Sequence, residues 1–405
     1  MSSVIDPFAE DRFAGLPPYA FPRLRALLDA HTPGGDGTII NLSIGEPKHP
    51  FPAFVGPILQ EALSGFNKYP PNQGSPAWQQ AVTSWLTRRF NLPDELIDPA
   101  KHLIPLNGTR EGLFQTATAF VPVADQSGRK PLVLMPNPFY QCYAGAARGA
   151  GAEPVMLDAT KQTGFLPDLD ALTDDMLADT ALFYLCTPAN PQGAVADRAY
   201  LEKLITLART HKFIVALDEC YCEIYDTDAP AGGLDVAWSM NESFANVLVF
   251  HSLSKRSNLP GLRSGFVAGD PDLIARFNKV RSYGGAPTPL PIDAVATAAW
   301  SDEAHVELNR TLYREKFDIA ERILGPTFGF KRPAGGFFVW LDVGDSESAC
   351  LRLWQQAGLR TIPGAYFAYD RADGSNPGAQ YLRIALVDDA QTIDHALTKL
   401  VEVLA

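Results

Sequence analysis

Lys255 stands in the segment Ser252-Leu-Ser-Lys255-Arg-Ser-Asn-Leu-Pro-Gly-Leu-Arg263-Ser-Gly265, directly after the apolar run Val247–His251. Such a run reads as a strand covered on both faces, so the lysine emerges beyond its carboxyl end, where open α/β sheets gather ligands. An amine beside apolar surface is partly desolvated, which favours the neutral form able to add to an aldehyde as an imine. Ser252 and Arg263 bracket it with a hydroxyl and a planar guanidinium, a pair suited to gripping a dianion. A solvated loop with incidental basic residues has the same composition, so the weight falls on what accompanies it.

Four other apolar runs end in residues of complementary chemistry. Ala216-Leu-Asp218-Glu-Cys-Tyr221 places Asp218 at a strand end, where a carboxylate suits a protonated ring nitrogen. The same position also serves as a helix N-cap. Tyr221, three residues on, could donate to a ring oxygen. Cys186-Thr-Pro-Ala-Asn190-Pro-Gln-Gly193 holds the Asn190 amide between prolines in a stiff turn, which structural use alone would also explain. Leu106-Asn-Gly108-Thr109-Arg110-Glu opens a helix over Glu111–Ala119 with free N–H groups, the form of a phosphate cradle. Asn137-Pro-Phe-Tyr140-Gln-Cys-Tyr143 offers Tyr140 to stack on a planar ring.

The elements that must position these residues are short strands alternating with amphipathic helices. Strands are expected at Leu103–Leu106, Leu132–Met135, Pro154–Leu157, Leu182–Cys186, Phe213–Leu217, Val247–His251 and Ser264–Ala268. Between them lie helices such as Asp197–His211, with Leu201, Leu204, Ile205 and Ala208 on one stripe. This alternation predicts a doubly wound α/β core from about Ser75 to Pro291. Ser75-Pro76 is a helix start, with Trp78, Ala81, Val82, Trp85 and Leu86 as its core stripe. From Trp300 the pattern becomes a long charged helix over Asp302–Leu324, strands near Phe337–Leu341 and Tyr381–Val387, and a closing helix at Thr392–Leu404, a smaller α+β domain.

Composition sets bounds on function. The 405 residues suit a two-domain body, and the net charge of −12 disfavours nucleic-acid backbones as partners. The five cysteines, Cys142, Cys186, Cys220, Cys222 and Cys350, are odd in number and irregularly spaced, which predicts free thiols and no zinc site. Met1–Arg12 lacks a basic region followed by an apolar stretch, and no apolar run approaches the length of a membrane helix, so a cytoplasmic location is expected. No G-x-G-x-x-G opens any helix, which disfavours a nicotinamide dehydrogenase.

Taken together, from Ser43-Ile-Gly45-Glu-Pro47 to Arg383, the motifs resemble the class I aminotransferases of the fold-type I pyridoxal-phosphate enzymes. The resemblance implies an α/β fold with a large doubly wound mixed-sheet domain over 46–295. Residues 1–45 would form an N-terminal arm and part of the small domain, and 296–405 the rest of it. It implies pyridoxal 5'-phosphate as cofactor, with Lys255 as Schiff-base lysine and proton shuttle and Asp218 on the pyridine nitrogen. Asn190 and Tyr221 would meet the ring oxygen, with Tyr140 on the ring face. Gly108, Thr109, Arg110, Ser252 and Arg263 would hold the phosphate. Arg383, in Tyr381-Leu-Arg-Ile-Ala, would clamp the substrate α-carboxylate with help from the Gly45 backbone. Tyr69, in Lys68-Tyr-Pro-Pro-Asn-Gln-Gly74, resembles a tyrosine that reaches the neighbouring subunit's phosphate, which implies a homodimer with shared sites. Ser264 departs from the pattern, standing where the family more often has an apolar residue.

Several segments, Asp218-Glu-Cys-Tyr-Cys-Glu-Ile-Tyr225 among them, are similar to bacterial N-succinyldiaminopimelate aminotransferases. That resemblance implies lysine biosynthesis, with glutamate and 2-oxoglutarate as the other pair, and a second carboxylate on every substrate. Arg281 and Arg110 are the candidates to meet it, although Arg281 would equally serve as a surface arginine at a helix end. Aspartate- or alanine-type aminotransfer and a C–S lyase reaction use the same fold and lysine. A regulator that binds the cofactor would carry an added DNA-binding module, for which only about 40 residues precede Leu42.

Overall fold

The computed structural model describes residues 12–35, 37–123 and 129–405. The reading of Met1–Arg12 therefore falls, but for Arg12, outside the described residues. The strands are β1 (Ile40–Asn41), β2 (Leu103–Leu106), β3 (Leu132–Asn137), β4 (Glu153–Asp158), β5 (Thr180–Cys186), β6 (Ile214–Asp218), β7 (Val247–Ser252), β8 (Gly265–Gly269), β9 (Phe338–Asp342), β10 (Leu359–Arg360), β11 (Ile362–Pro363) and β12 (Tyr381–Ala385). Seven of them form a mixed sheet in the order β2-β8-β7-β6-β5-β3-β4. The pairs β7–β6, β6–β5, β5–β3 and β3–β4 are parallel, and only β8 runs against both its neighbours, β7 and β2.

Alternate residues of the central strands feed two separate cores, the consequence of a period of two with both faces covered. Phe183, Leu185, Val215, Leu217, Val247 and Val249 pack with Trp78, Trp85 and Trp300 on one side. Leu182, Tyr184, Ala216, Leu248 and Phe250 pack with Leu113, Tyr143 and Phe277 on the other. Register then decides what lies at the carboxyl edge: Cys186 pairs with Asp218, Asp218 with Phe250, and Ser252 with Gly265. The residues that follow β2, β3, β5, β6 and β7 consequently emerge side by side.

A third core joins the start of the chain to its end. Helix Ala20–Leu28 contributes Ala20, Leu24 and Leu28, which pack with Phe317, Leu353, Ile384 and Leu397. β1 pairs in parallel with β10, and β9, β12 and β11 form an antiparallel sheet. Ser75 caps helix Pro76–Phe90 by accepting from the Trp78 N–H at 3.1 Å, as its sequence predicts. The helix expected over Asp302–Leu324 instead runs Ala304–Phe328 and passes through Pro326. Gly329 stops it in the left-handed region, at φ 64°, where the missing Cβ costs nothing.

Candidate active site

The edge of the large sheet opens into a cavity of about 490 Å³ that also reaches Gly45 and Arg383, a size typical of small-molecule sites. Lys255 lies in the four-residue helix Leu253–Arg256 that follows β7, and its amine donates to the Gly45 carbonyl. Burial pulls that amine down to about 8, with Cys220 opposing the shift and Arg383 adding to it. A lysine so placed is a ready nucleophile toward an aldehyde.

Asp218, at the end of β6, is buried and accepts from the Tyr143 hydroxyl at 2.8 Å and, more weakly, from the Cys220 N–H at 3.4 Å. Burial raises its carboxyl above the usual range despite those donors. What would settle the ionised form is a cation delivered into the cavity. Tyr221 lines the same wall, with its ring edge-on to Phe337 and Phe338.

Beyond β2 the chain turns at Asn107-Gly108 into helix Thr109–Phe120. Gly108 sits at φ 82°, and a Cβ there would fall 2.0 Å from Nη2 of Arg263. The glycine thus lets the guanidinium lie against the helix start. Arg263 is itself held there by the carbonyls of Pro260, at 2.9 Å, and Asn107, at 3.3 Å. Gly108 backs this arrangement without lining the cavity, whereas Thr109, Ser252 and Arg263 face in. Free helix N–H groups, two hydroxyls and a guanidinium are the donor set of a phosphate site.

Arg383, in β12, is 4% exposed and carries no ion pair among the described residues. Nη1 donates to Oδ1 of Asn190 at 3.0 Å, Nη2 to the Ser43 carbonyl at 2.6 Å, and Nε has no partner among the described residues. The rings of Phe338 and Phe367 lie 4.4 and 4.2 Å from its carbon centre. Burial lowers its affinity for a proton to about 10. A buried guanidinium without a counter-ion is strongly destabilising, and a bidentate carboxylate relieves it.

The remaining predicted residues divide. Tyr140 and Arg110 line the cavity, with Nε of Arg110 donating to the Tyr140 hydroxyl. Tyr69 is wholly exposed and away from it. Arg281 is the correction: it is 5% exposed and does not line the cavity. It pairs with Glu111 at 3.0 Å and donates to Gln115 at 2.8 Å. Glu111 in turn accepts from the Asn107 N–H at 2.9 Å, so Arg281 braces the turn before Gly108 from behind. Its helix, Pro271–Gly284, turns that face toward helix Thr109–Phe120, which spacing alone could not reveal. Tyr143 is the functional residue that sequence reasoning passed over, although it lies three places from Tyr140. Phe338 and Phe367 carried no signal at all.

A mixed sheet whose edge gathers a nucleophilic amine, a buried carboxylate and a set of anion donors, facing a buried arginine of the small sheet, is the arrangement of a fold-type I pyridoxal-phosphate enzyme of the aminotransferase kind. The chain belongs to the family "Aminotransferase class I and II", whose sequence model matches residues 37–400. An aminotransferase from Neisseria meningitidis superposes with a TM-score of 0.91 at 38% identity, covering 97% of this chain and 99% of that one. The chain is 31% identical to a 4-dedimethylamino-4-oxo-anhydrotetracycline transaminase of Streptomyces rimosus, over 89% of this chain and 93% of the other. It is 30% identical to an LL-diaminopimelate aminotransferase of Nitratidesulfovibrio vulgaris, over 96% and 97%.

The cofactor of the family is pyridoxal 5'-phosphate, and the residues present fit it: the Gly108 turn leaves room where a Cβ would not, and among the described residues Asp218 has no ion pair. Lys255 would hold its aldehyde carbon, Asp218 its ring nitrogen, and Thr109, Ser252 and Arg263 its phosphate. When bound, it supplies an electron sink for chemistry at the substrate α-carbon. Arg383 would orient the amino acid by its carboxylate, and the amine of Lys255 would serve as the general acid–base at the α-carbon.

Proposed function

We propose that this aminotransferase exchanges an amino group between an N-succinyl-L,L-diaminopimelate-type substrate and 2-oxoglutarate/glutamate, as part of lysine biosynthesis. The observation that supports this most directly is a second arginine at the same cavity. Arg110 is exposed at the cavity mouth, and among the described residues it forms no ion pair; its one side-chain partner is the neutral Tyr140 hydroxyl. With Arg383 taking the α-carboxylate, Arg110 favours substrates whose far end is anionic. Glutamate, 2-oxoglutarate and an N-succinyl chain all satisfy that demand. The relatives named LL-diaminopimelate aminotransferases support the same carbon skeleton.

Two proposals on assembly belong to this reading. The wholly exposed Tyr69 serves the phosphate of a second subunit, so the active unit is a homodimer with shared sites. We propose that a large unit over 46–295 stands against 1–45 with 296–405, although Trp300, at the end of helix Leu290–Ser301, still packs into the large-sheet core. The experiment is a comparison of kcat/KM for N-succinyl-L,L-diaminopimelate and L,L-diaminopimelate, with glutamate formation from 2-oxoglutarate as readout. A preference of at least about tenfold for the succinylated compound is expected for one added charge contact. Equal or reversed preference discards the succinyl assignment. Sedimentation of the active enzyme as a monomer discards the dimer.

A further inference from the structure

Helix Leu253–Arg256 is only four residues long, so the carbonyls of Lys255 and Arg256 find no partner further along it. They are met from outside. Nδ2 of Asn309, on the long helix Ala304–Phe328, donates to the Lys255 carbonyl at 3.1 Å and to that of Arg256 at 3.4 Å. Because the amide NH₂ faces two carbonyls, its oxygen must point the other way, and there it meets Nδ1 of His49 at 2.7 Å. An amide oxygen only accepts, so Nδ1 carries the hydrogen and Nε2 is left as a lone pair. Nζ of Lys316 lies 2.6 Å from that lone pair and 3.1 Å from the Leu386 carbonyl. Every group in the chain Lys255–Asn309–His49–Lys316–Leu386 then has a single allowed role.

A second contact runs parallel to it. The His49 ring lies 4.6 Å from that of Tyr313, Tyr313 stacks on Phe337 at 5.2 Å, and Phe337 lies 5.3 Å from the Lys255 amine. Asn309, Tyr313 and Lys316 share one face of the helix by their spacing, and all three are buried. The face therefore touches Lys255 at both ends, at its backbone and, through Phe337, beside its amine.

We infer that Asn309, His49 and Lys316 are positioning residues for Lys255, acting as a proton-sensitive strut that requires His49 to be neutral. Protonated His49 would turn a second N–H toward Lys316, setting donor against donor and cation against cation. The charged neighbours do not reverse this. Lys316 feels Asp388, Asp389 and Glu315, but Asp388 is already paired with Lys48 at 2.6 Å. Burial first, and then Lys316, hold the His49 imidazole below its usual range, while the bond to Asn309 opposes them. The inference rests on the aminotransferase family and on none of the substrate assignment.

The test separates these residues from mere packing. H49F keeps the aromatic contact with Tyr313 and loses both hydrogen bonds; H49Q keeps a donor and an acceptor and takes no proton. N309A frees the two carbonyls. The first readout is the pH dependence of the rate at which apoprotein takes up pyridoxal phosphate, followed by visible absorption, which reports the state of the Lys255 amine without turnover. The second is kcat and KM with L-glutamate. H49F and N309A are expected to shift the uptake inflection and lower kcat about tenfold, with KM within about twofold, because orientation and not binding is lost. The strut predicts that wild-type kcat falls as His49 takes up a proton, and H49Q is expected to restore most of the loss and to lack that fall. Wild-type uptake and kcat profiles in H49F or N309A overturn the inference. If those variants do not fold, nitrogen-15 spectra of the histidine rings in the wild type decide. His49 neutral and protonated on Nδ1 at pH 7 upholds the strut; the other tautomer or the cation overturns it. If L-glutamate is no donor, the substrate reading fails and the uptake profile still judges the strut.

Discussion

Nη1 of Arg383 donates to Oδ1 of Asn190 at 3.0 Å, tying the carboxylate clamp of β12 to the amide that follows β5. Asn190 follows a strand of the large sheet and Arg383 lies in the small one, so the arginine proposed to hold substrate is aimed by the amide proposed to face the ring. Replacing Arg383 by lysine keeps the charge but loses the fork and this bond. Arg383→Lys is expected to lower kcat/KM for amino acids by about 100-fold or more, with cofactor affinity little changed. Steady-state kinetics beside a cofactor titration checks it.

The Gly108 turn makes a prediction of opposite selectivity. Gly108→Ala places a Cβ 2.0 Å from Arg263 Nη2 at φ 82°, so the guanidinium must leave the helix start. Cofactor affinity is expected to fall about tenfold or more, and the apoprotein to lose about 1 kcal/mol from backbone strain. Fluorescence titration and urea unfolding separate the two effects. An unchanged affinity would remove Arg263 from the phosphate site.

Arg281 is expected to matter for stability and cofactor, and not for substrate choice. Its partner Glu111 is partly exposed, so Arg281→Met should cost about 1–2 kcal/mol, short of the cost of stranding a fully buried charge. KM for every dicarboxylate substrate should stay within about twofold. A large KM increase specific to dicarboxylates would return Arg281 to the substrate.

The Lys255 amine carries a stability signature of its own. Its affinity for a proton is depressed to about 8 in the fold from about 10.5 in the open chain. Below pH 8 both states hold the proton and the cost of burying it is complete; between about 8 and 10.5 that cost drains away as pH rises. Lys255→Met apoprotein should therefore be more stable than wild type at pH 7, with the gap closing toward pH 10, while turnover is abolished. Urea midpoints at several pH values measure this, and retained turnover would end the assignment.

Strand ends were the most legible part of this molecule. Each of the seven large-sheet strands lies within a residue or two of its predicted bounds, because uninterrupted apolar runs leave few registers open. Lys255, Asp218, Asn190 and Arg383 meet at one cavity as the motif order implied. The two-residue strands β1, β10 and β11 left no periodicity to read. Arg281 misled because an arginine near a helix end does not declare its face. Asn309, His49 and Lys316 escaped notice for a related reason: their meaning lies in one tautomer, a relation between side chains up to 267 residues apart.

The unpaired guanidinium of Arg383 also governs how the enzyme has to be handled. A buried cation with no ion pair among the described residues is expected to attract small carboxylates whether or not an amine is attached. Acetate, citrate and the 2-oxo acid product will all compete with the amino donor for that arginine. Activity measured in carboxylate buffers will then understate the enzyme, while phosphate will compete at the cradle of Thr109 and Arg263. An uncharged or sulfonate buffer leaves the arginine open to substrate and the cradle open to cofactor.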